Sequence, residues 1–139
     1  MSAGIFLDSN ILVYAHDEDG GEKYHRANQW VKTFWSEGPL PILSVQVLQE
    51  FYTVMLRKDA DARLYREVAE HYLELWPVIE NTRELMRRAL EIQQRFQLSF
   101  WDANIVAAAQ QSGAKELWTE DLNDGQDYGG VRVVNPFSA

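Results

Sequence analysis

Asp8, Glu50, Asp102 and Asp121 are the side chains of this sequence that could do chemistry together, provided the fold brings them to one place. Hydrolysis of a phosphodiester requires that charge be stabilised on the attacking and leaving oxygens. Two metal ions roughly 4 Å apart can supply that stabilisation. Magnesium and manganese prefer hard oxygen ligands and usually keep several waters, so three or four carboxylates at one spot make a sufficient donor set. Without a cation the same carboxylates repel one another, and at least one should take up a proton or a counter-ion.

Each acid also has an ordinary structural use. Asp8 could cap a helix, although Ser9 and Asn10 beside it could cap equally well. Glu50 could be a half-exposed helix residue, but Val47 and Val54 share its face, so it emerges from a largely apolar flank. Asp102 follows Ser99 in an S-x-x-D capping pattern, where a carboxylate also favours the helix dipole. Asp121 stands closest to a strand end after Glu120, whereas Asp124 and Asp127 lie in a Gly-rich turn; Asp124 is retained only as a possible additional acid.

The elements that must position these acids follow from apolar periodicity. Ile5–Leu7 predicts a buried strand feeding a helix over Ile11–Ala15, and Asp17–Gly21 a loop. Glu22–Glu37 predicts an amphipathic helix, Ile42 and Leu43 a strand, and Ser44 the cap of a helix carrying Glu50. A further helix runs through Tyr65 and Tyr72, and Val78 and Ile79 after Pro77 form a third strand candidate. Thr82–Gln97 and Ser99–Gly113 complete the helices; Leu117–Trp118 and Val131–Val134 supply two more strands, separated by the turn-rich segment Asp124–Gly130. Such alternation predicts an α/β fold with a central, mainly parallel sheet of four to five strands covered on both faces, and a site at the carboxyl ends of the strands. Asp8 and Asp121 should then share one sheet edge.

Composition bounds the answer. The 139 residues fit one compact domain spanning residues 1–139, with 46% hydrophobic residues to fill a core. No cysteine is present, which removes disulfides and thiolate metal sites and is compatible with a reducing, cytoplasmic setting. No apolar stretch approaches bilayer-spanning length, so no membrane role is expected. The formal net charge of −8 opposes nucleic-acid binding by bulk electrostatics, so a nucleic-acid surface would need segregated basic residues or a partner's charge.

In combination, these segments resemble the PIN-domain nucleases, and particularly the VapC-type toxins of toxin–antitoxin pairs. Leu7-Asp8-Ser9-Asn10-Ile11 is similar to that family's N-terminal acid motif, and Val47-Leu48-Gln49-Glu50-Phe51 to its helical glutamate segment. Phe100-Trp101-Asp102-Ala103-Asn104 and its continuation resemble the third-acid helix, Leu117-Trp118-Thr119-Glu120-Asp121-Leu122 the last acid segment, and Val131–Phe137 a terminal strand of one subset. Four weak motifs in the right order carry the resemblance over essentially the whole chain. It implies a three-layer α/β/α fold, magnesium or manganese held by Asp8, Glu50, Asp102 and Asp121, and supporting roles for Asn10 and Thr119. It further implies endonucleolytic hydrolysis of RNA, frequently a homodimer, and an antitoxin partner with a basic C-terminal segment.

Other residues carry less. Arg57, Lys58, Arg63 and Arg66 form one basic group and Arg83, Arg87, Arg88 and Arg95 another, each readable as a solvated face; for an RNA substrate, one group should flank the acids. His16, His25 and His71 lack metal-ligand spacing, and Trp30, Trp35 and Trp76 fit core or dimer packing better than base stacking. Two other readings stand beside the nuclease. One is a phosphatase with Asp8 as nucleophile, weakened because Asn10 stands where a second acid is needed. The other is a binding module whose acidic pocket receives a basic partner segment.

Overall fold

Ile5–Leu7 forms β1 in the computed structural model, which describes residues 4–138. It is followed by α1 (Ser9–His16), α2 (Glu22–Glu37), β2 (Leu43–Ser44), α3 (Val45–Lys58) and α4 (Ala62–Leu75). The chain continues through β3 (Val78–Ile79), α5 (Arg83–Phe96), α6 (Phe100–Ser112), β4 (Glu116–Trp118), β5 (Asp127–Tyr128) and β6 (Val131–Val134). The architecture is the expected three-layer α/β/α arrangement around a mainly parallel sheet.

The main ladder runs β1-β4-β6-β5, with β1, β4 and β6 mutually parallel and β5 antiparallel to β6. β2 and β3 form a separate parallel pair beside it. Ile42 joins the two, because Leu7 N–H donates to its carbonyl and its own N–H donates to Ile5. β5 departs from the sequence reading, which placed Asp127 and Tyr128 in a turn. Gly129 and Gly130 both take positive φ, so the chain reverses tightly enough for two turn residues to pair with Val131 and Arg132.

The helix ends follow the sequence signals. Asp8, Ser44, Asp61, Thr82 and Ser99 each accept a backbone N–H at the start of the helix they cap. α5 packs against α6, α6 against β3, β4 and β6, and α1 against α2 and α3. Because α6 leads into β4 and returns alongside it, its N-terminus lies near the end of the sheet where β4 terminates. Strand ends and a helix start thus meet at one edge, and Asp8, Thr119 and Asp102 come from them.

Phe6, Leu7, Ile11, Leu43, Phe51 and Leu117 are fully buried in one apolar core. His16, at the end of α1, lies against Phe51 and shares a 2.8 Å hydrogen bond with the Tyr72 hydroxyl, tying α1 to α4. Trp76 is buried beside Tyr72, and Trp35 packs on both while keeping 40% of its surface exposed. Truncating Phe6 leaves a void beneath β1. Phe6→Ala is therefore expected to lower unfolding free energy by about 3–5 kcal/mol in urea titrations. Leu90→Ala, on an exposed face of α5, should change it by less than about 1 kcal/mol.

Candidate active site

Asp8 sits just past β1 with only 5% of its surface exposed. One carboxylate oxygen accepts the Ser9 N–H at 2.7 Å, and the other accepts the Thr119 hydroxyl at 2.8 Å. Its capping use and its place among the acids are therefore compatible. Burial pushes the Asp8 carboxyl up from 3.8 to about 7. The Thr119 and Ser9 hydrogen bonds oppose that rise, while the nearby charges of Glu50 and Asp121 reinforce it.

Glu50 projects from α3 and is held from two sides. The Ser9 hydroxyl donates to one of its oxygens at 3.1 Å, and the Gln46 amide to the other at 3.3 Å. Gln46 is itself buried; its amide also donates to the Trp101 carbonyl at 3.2 Å, and its oxygen accepts from Asn104 at 2.6 Å. Gln46 and Asn104 thus lock α3 to the first turns of α6, which carries Asp102. The sequence reading assigned neither residue, although two signals were present. Gln46 lies one helical turn before Glu50, and Asn104 is the one polar residue in the run Ala103-Asn104-Ile105-Val106-Ala107-Ala108-Ala109.

Asp121 is reached through Asn10. The Asn10 amide donates to Asp121 at 3.0 Å and to the Thr119 hydroxyl at 3.1 Å, and the Asp121 N–H also donates to that hydroxyl. Thr119 is completely buried and spends its single proton on Asp8. The neighbouring Glu120 turns the other way. It pairs with Lys23 of α2 at 2.7 Å and accepts the Tyr14 hydroxyl at 2.8 Å. Burial opposes its ionisation, but those two partners outweigh burial and hold its carboxyl below the usual range. Adjacent acids therefore have opposite settings, one compensated and one left among carboxylates.

Asp102 occupies the first turn of α6, with its N–H capped by the Ser99 hydroxyl at 3.1 Å. Partial burial raises its carboxyl, the Ser99 side chain lowers it, and the charge of Asp121 raises it further. Asp124 is engaged in the C-terminal turn, accepting the Asn135 N–H at 2.9 Å and the Ser138 hydroxyl at 3.3 Å.

Among the described residues, no three His, Asp or Glu side chains converge into a ready-made metal cage. No Lys or Arg forms an ion pair with Asp8, Glu50, Asp102 or Asp121 either. The Asn10 side-chain oxygen, moreover, is buried without a hydrogen-bond partner. Uncompensated hard oxygens and an orphaned amide oxygen fit a small divalent cation that keeps part of its hydration shell, because such an ion needs only one or two carboxylates and no full protein cage.

The Asp8 shift has a definite sign. Below about pH 4 its carboxyl is protonated in both folded and unfolded chains. Between 3.8 and about 7 the folded protein retains a proton that the unfolded chain has lost, so stability falls as pH rises through this window. His16 has the opposite slope, since burial lowers its imidazole from 6.5 to about 4 and stability rises with pH across that interval. Comparison with Asp8→Asn isolates the Asp8 contribution. In metal-free buffer this variant is expected to gain roughly 2–4 kcal/mol on the wild type between pH 4.5 and 7.5, as read from urea titrations at each pH.

Comparison with known proteins bears on the fold and the family. No curated protein sequence matches the chain. Among solved structures, VapC20 of Mycobacterium tuberculosis, described as a sarcin–ricin loop cleaving toxin, superposes with a TM-score of 0.66 at 21% identity, over 84% of this chain and 89% of its own. A toxin–antitoxin complex from Klebsiella pneumoniae gives a TM-score of 0.68 at 22% identity, covering 91% and 94% of the two chains. VapBC2 of Rickettsia felis, bound to a DNA fragment from its promoter, gives 0.64 at 16% identity over 93% and 96%. These likenesses are of fold. The model of the PIN domain, however, matches residues 5–123, an interval holding all four acids and the polar side chains that fix them, and the chain belongs to the PIN domain family.

Proposed function

We propose that the protein is a metal-dependent endoribonuclease and the toxin of a toxin–antitoxin pair. The observation that carries this reading is a buried carboxylate, Asp8, set among Glu50 and Asp121 with no cationic side chain paired to any of them. Evolution of a stable fold alone gives no reason to retain such a cluster, since buried charge without a partner is costly.

Asp8, Glu50, Asp102 and Asp121 would hold magnesium or manganese, directly or through water. When bound, the ion supplies positive charge opposite the phosphodiester and makes water easier to deprotonate. The chain's own contribution is positioning. Ser9 and Thr119 fix both oxygens of Asp8, and Thr119 favours its ionised form by donating a hydrogen bond to it. Ser9 and Gln46 fix Glu50, and Asn10 fixes Asp121, so the acids need little reorganisation when substrate arrives. Asn10 and Thr119 support the acids, and Asp124 stabilises the C-terminal turn.

RNA as substrate, a cytoplasmic single-domain protein, a homodimer, and an antitoxin whose basic C-terminal segment enters the acid pocket belong to the same reading. Solved relatives described as toxin–antitoxin assemblies support the antitoxin. Among the described residues, no helix is long and apolar enough to cross a membrane. The unpaired acids also favour a second reading, in which the pocket serves only to receive an arginine-bearing partner segment.

Incubation with mixed RNA and manganese discriminates these. Cleavage is expected that chelator abolishes and that Asp8→Asn and Asp102→Asn each reduce at least about 100-fold, a loss on the order of 3 kcal/mol in transition-state stabilisation. Cleavage undiminished by either change defeats the mechanism, and absence of cleavage with retained partner binding favours the second reading. Manganese should also raise the wild-type melting temperature at pH 7.5 by several degrees, and that of Asp8→Asn by less.

A further inference from the structure

A net charge of −8 leaves open how a polyanion would be held beside four acids. The helix pair α5–α6 and the β5–β6 turn enclose a cleft of about 250 Å³, lined by Arg88, Glu91, Arg95, Phe96, Gln110 and Gly129. Its two guanidinium groups, like those of Arg57, Arg66 and Arg83, form no ion pair among the described residues, but they are the ones that line a cleft. Arg87 pairs with Glu84 at 2.7 Å and Arg63 with Glu67 at 3.5 Å, whereas among the described residues neither Arg88 nor Arg95 has a carboxylate within ion-pair distance. Glu91, between them on the same helix, forms no ion pair with either.

The cleft is also built. Arg88 donates to the Gln110 oxygen at 3.3 Å, and the Gln110 amide donates to the Tyr128 carbonyl at 3.0 Å. Gly129 makes that approach possible: its φ is +61°, and a Cβ there would lie 2.7 Å from the Gln110 amide nitrogen. Arg95 lies over the Phe96 ring at 5.1 Å, and Phe96 packs edge-on against Tyr128 at 4.9 Å. The chain itself connects the cleft to the acids, for α5 ends at Phe96 and the Ser99 hydroxyl, three residues on, accepts the Asp102 N–H at the start of α6.

We propose that Arg88 and Arg95 form a subsite for the phosphodiester backbone of single-stranded RNA, flanking the acid cluster on the Asp102 side. This rests on the nuclease reading and adds where the substrate's charge is met. Guanidinium groups present forked donors that suit phosphate oxygens, and two of them about two turns apart on one face of α5 can follow a strand leading away from the acids. Glu91, in the same lining, repels a phosphate and so weakens the site.

The test uses the full chain and a labelled single-stranded RNA oligomer. In an Asp8→Asn background with manganese, Arg88→Ala plus Arg95→Ala should weaken binding at least about 10-fold at 100 mM KCl. The slope of log affinity against log salt should fall by about 1.4, two phosphate contacts at roughly 0.7 each. In the otherwise wild-type enzyme the same pair should raise KM about 10-fold with kcat within about twofold. The double lysine variant should recover most of the salt slope, and Glu91→Gln should tighten binding. A wild type that cleaves RNA while the double alanine variant keeps its KM and salt slope overturns the subsite alone. A loss accompanied by a lowered melting temperature and not rescued by lysine also overturns it, assigning the arginines to structure. A wild type that neither binds nor cuts RNA overturns the nuclease reading and this subsite with it.

Discussion

The Thr119 hydroxyl donates to Asp8 because β1 and β4 are parallel neighbours in register, with Leu7 opposite Trp118. The residue after each strand therefore emerges at the same edge and the same height. An antiparallel pairing would send the two ends to opposite edges. Thr119 then acts as a hub: it gives its proton to Asp8 and accepts from Asn10 and from the Asp121 backbone. Every hydrogen-bonding direction of that buried hydroxyl is used, and two polar side chains and one backbone N–H are fixed through it.

Around this hub the electrostatics are sorted by direction rather than by composition. Glu120 faces α2 and is neutralised by Lys23, whereas its neighbour Asp121 faces Asn10 and stays among acids. The bend that follows β4 at these two residues turns their side chains apart. The result is a compensated acid that secures the β4 end against α2 and an uncompensated one that adds to the field on Asp8 and Asp102. The unpaired guanidinium groups of Arg88 and Arg95 lie elsewhere, on α5, where Arg95 covers the Phe96 ring and Phe96 packs on Tyr128.

The second tether is made by amides. Gln46 satisfies Glu50, the Trp101 backbone and Asn104 at once, so α3 and α6 cannot shift relative to each other without breaking buried hydrogen bonds. Rigid placement of Glu50 relative to the start of α6 follows from packing between two helices that are far apart in the chain.

Local physics made much of this legible from residues alone. The helix caps at Ser44 and Ser99, the amphipathic α2 and α5, and the strands before Asp8 and Thr119 follow from side-chain chemistry and periodicity acting over a few residues. The order of strands and helices likewise dictated a parallel sheet with Asp8 and Asp121 at one edge, since crossovers allow little else. What depended on tertiary structure was every choice among equals. Asp121 and Glu120 are adjacent acids whose partners come from 111 and 97 residues away, and no local pattern encodes those partners. Gln46 and Asn104 are ordinary amides until α3 and α6 meet. Tyr128 reads as part of a turn until β6 offers its free edge. Hydrogen bonds across such separations are set by the sheet order, so the chemistry of the acids could be named from the sequence, while their individual environments were decided only by the fold.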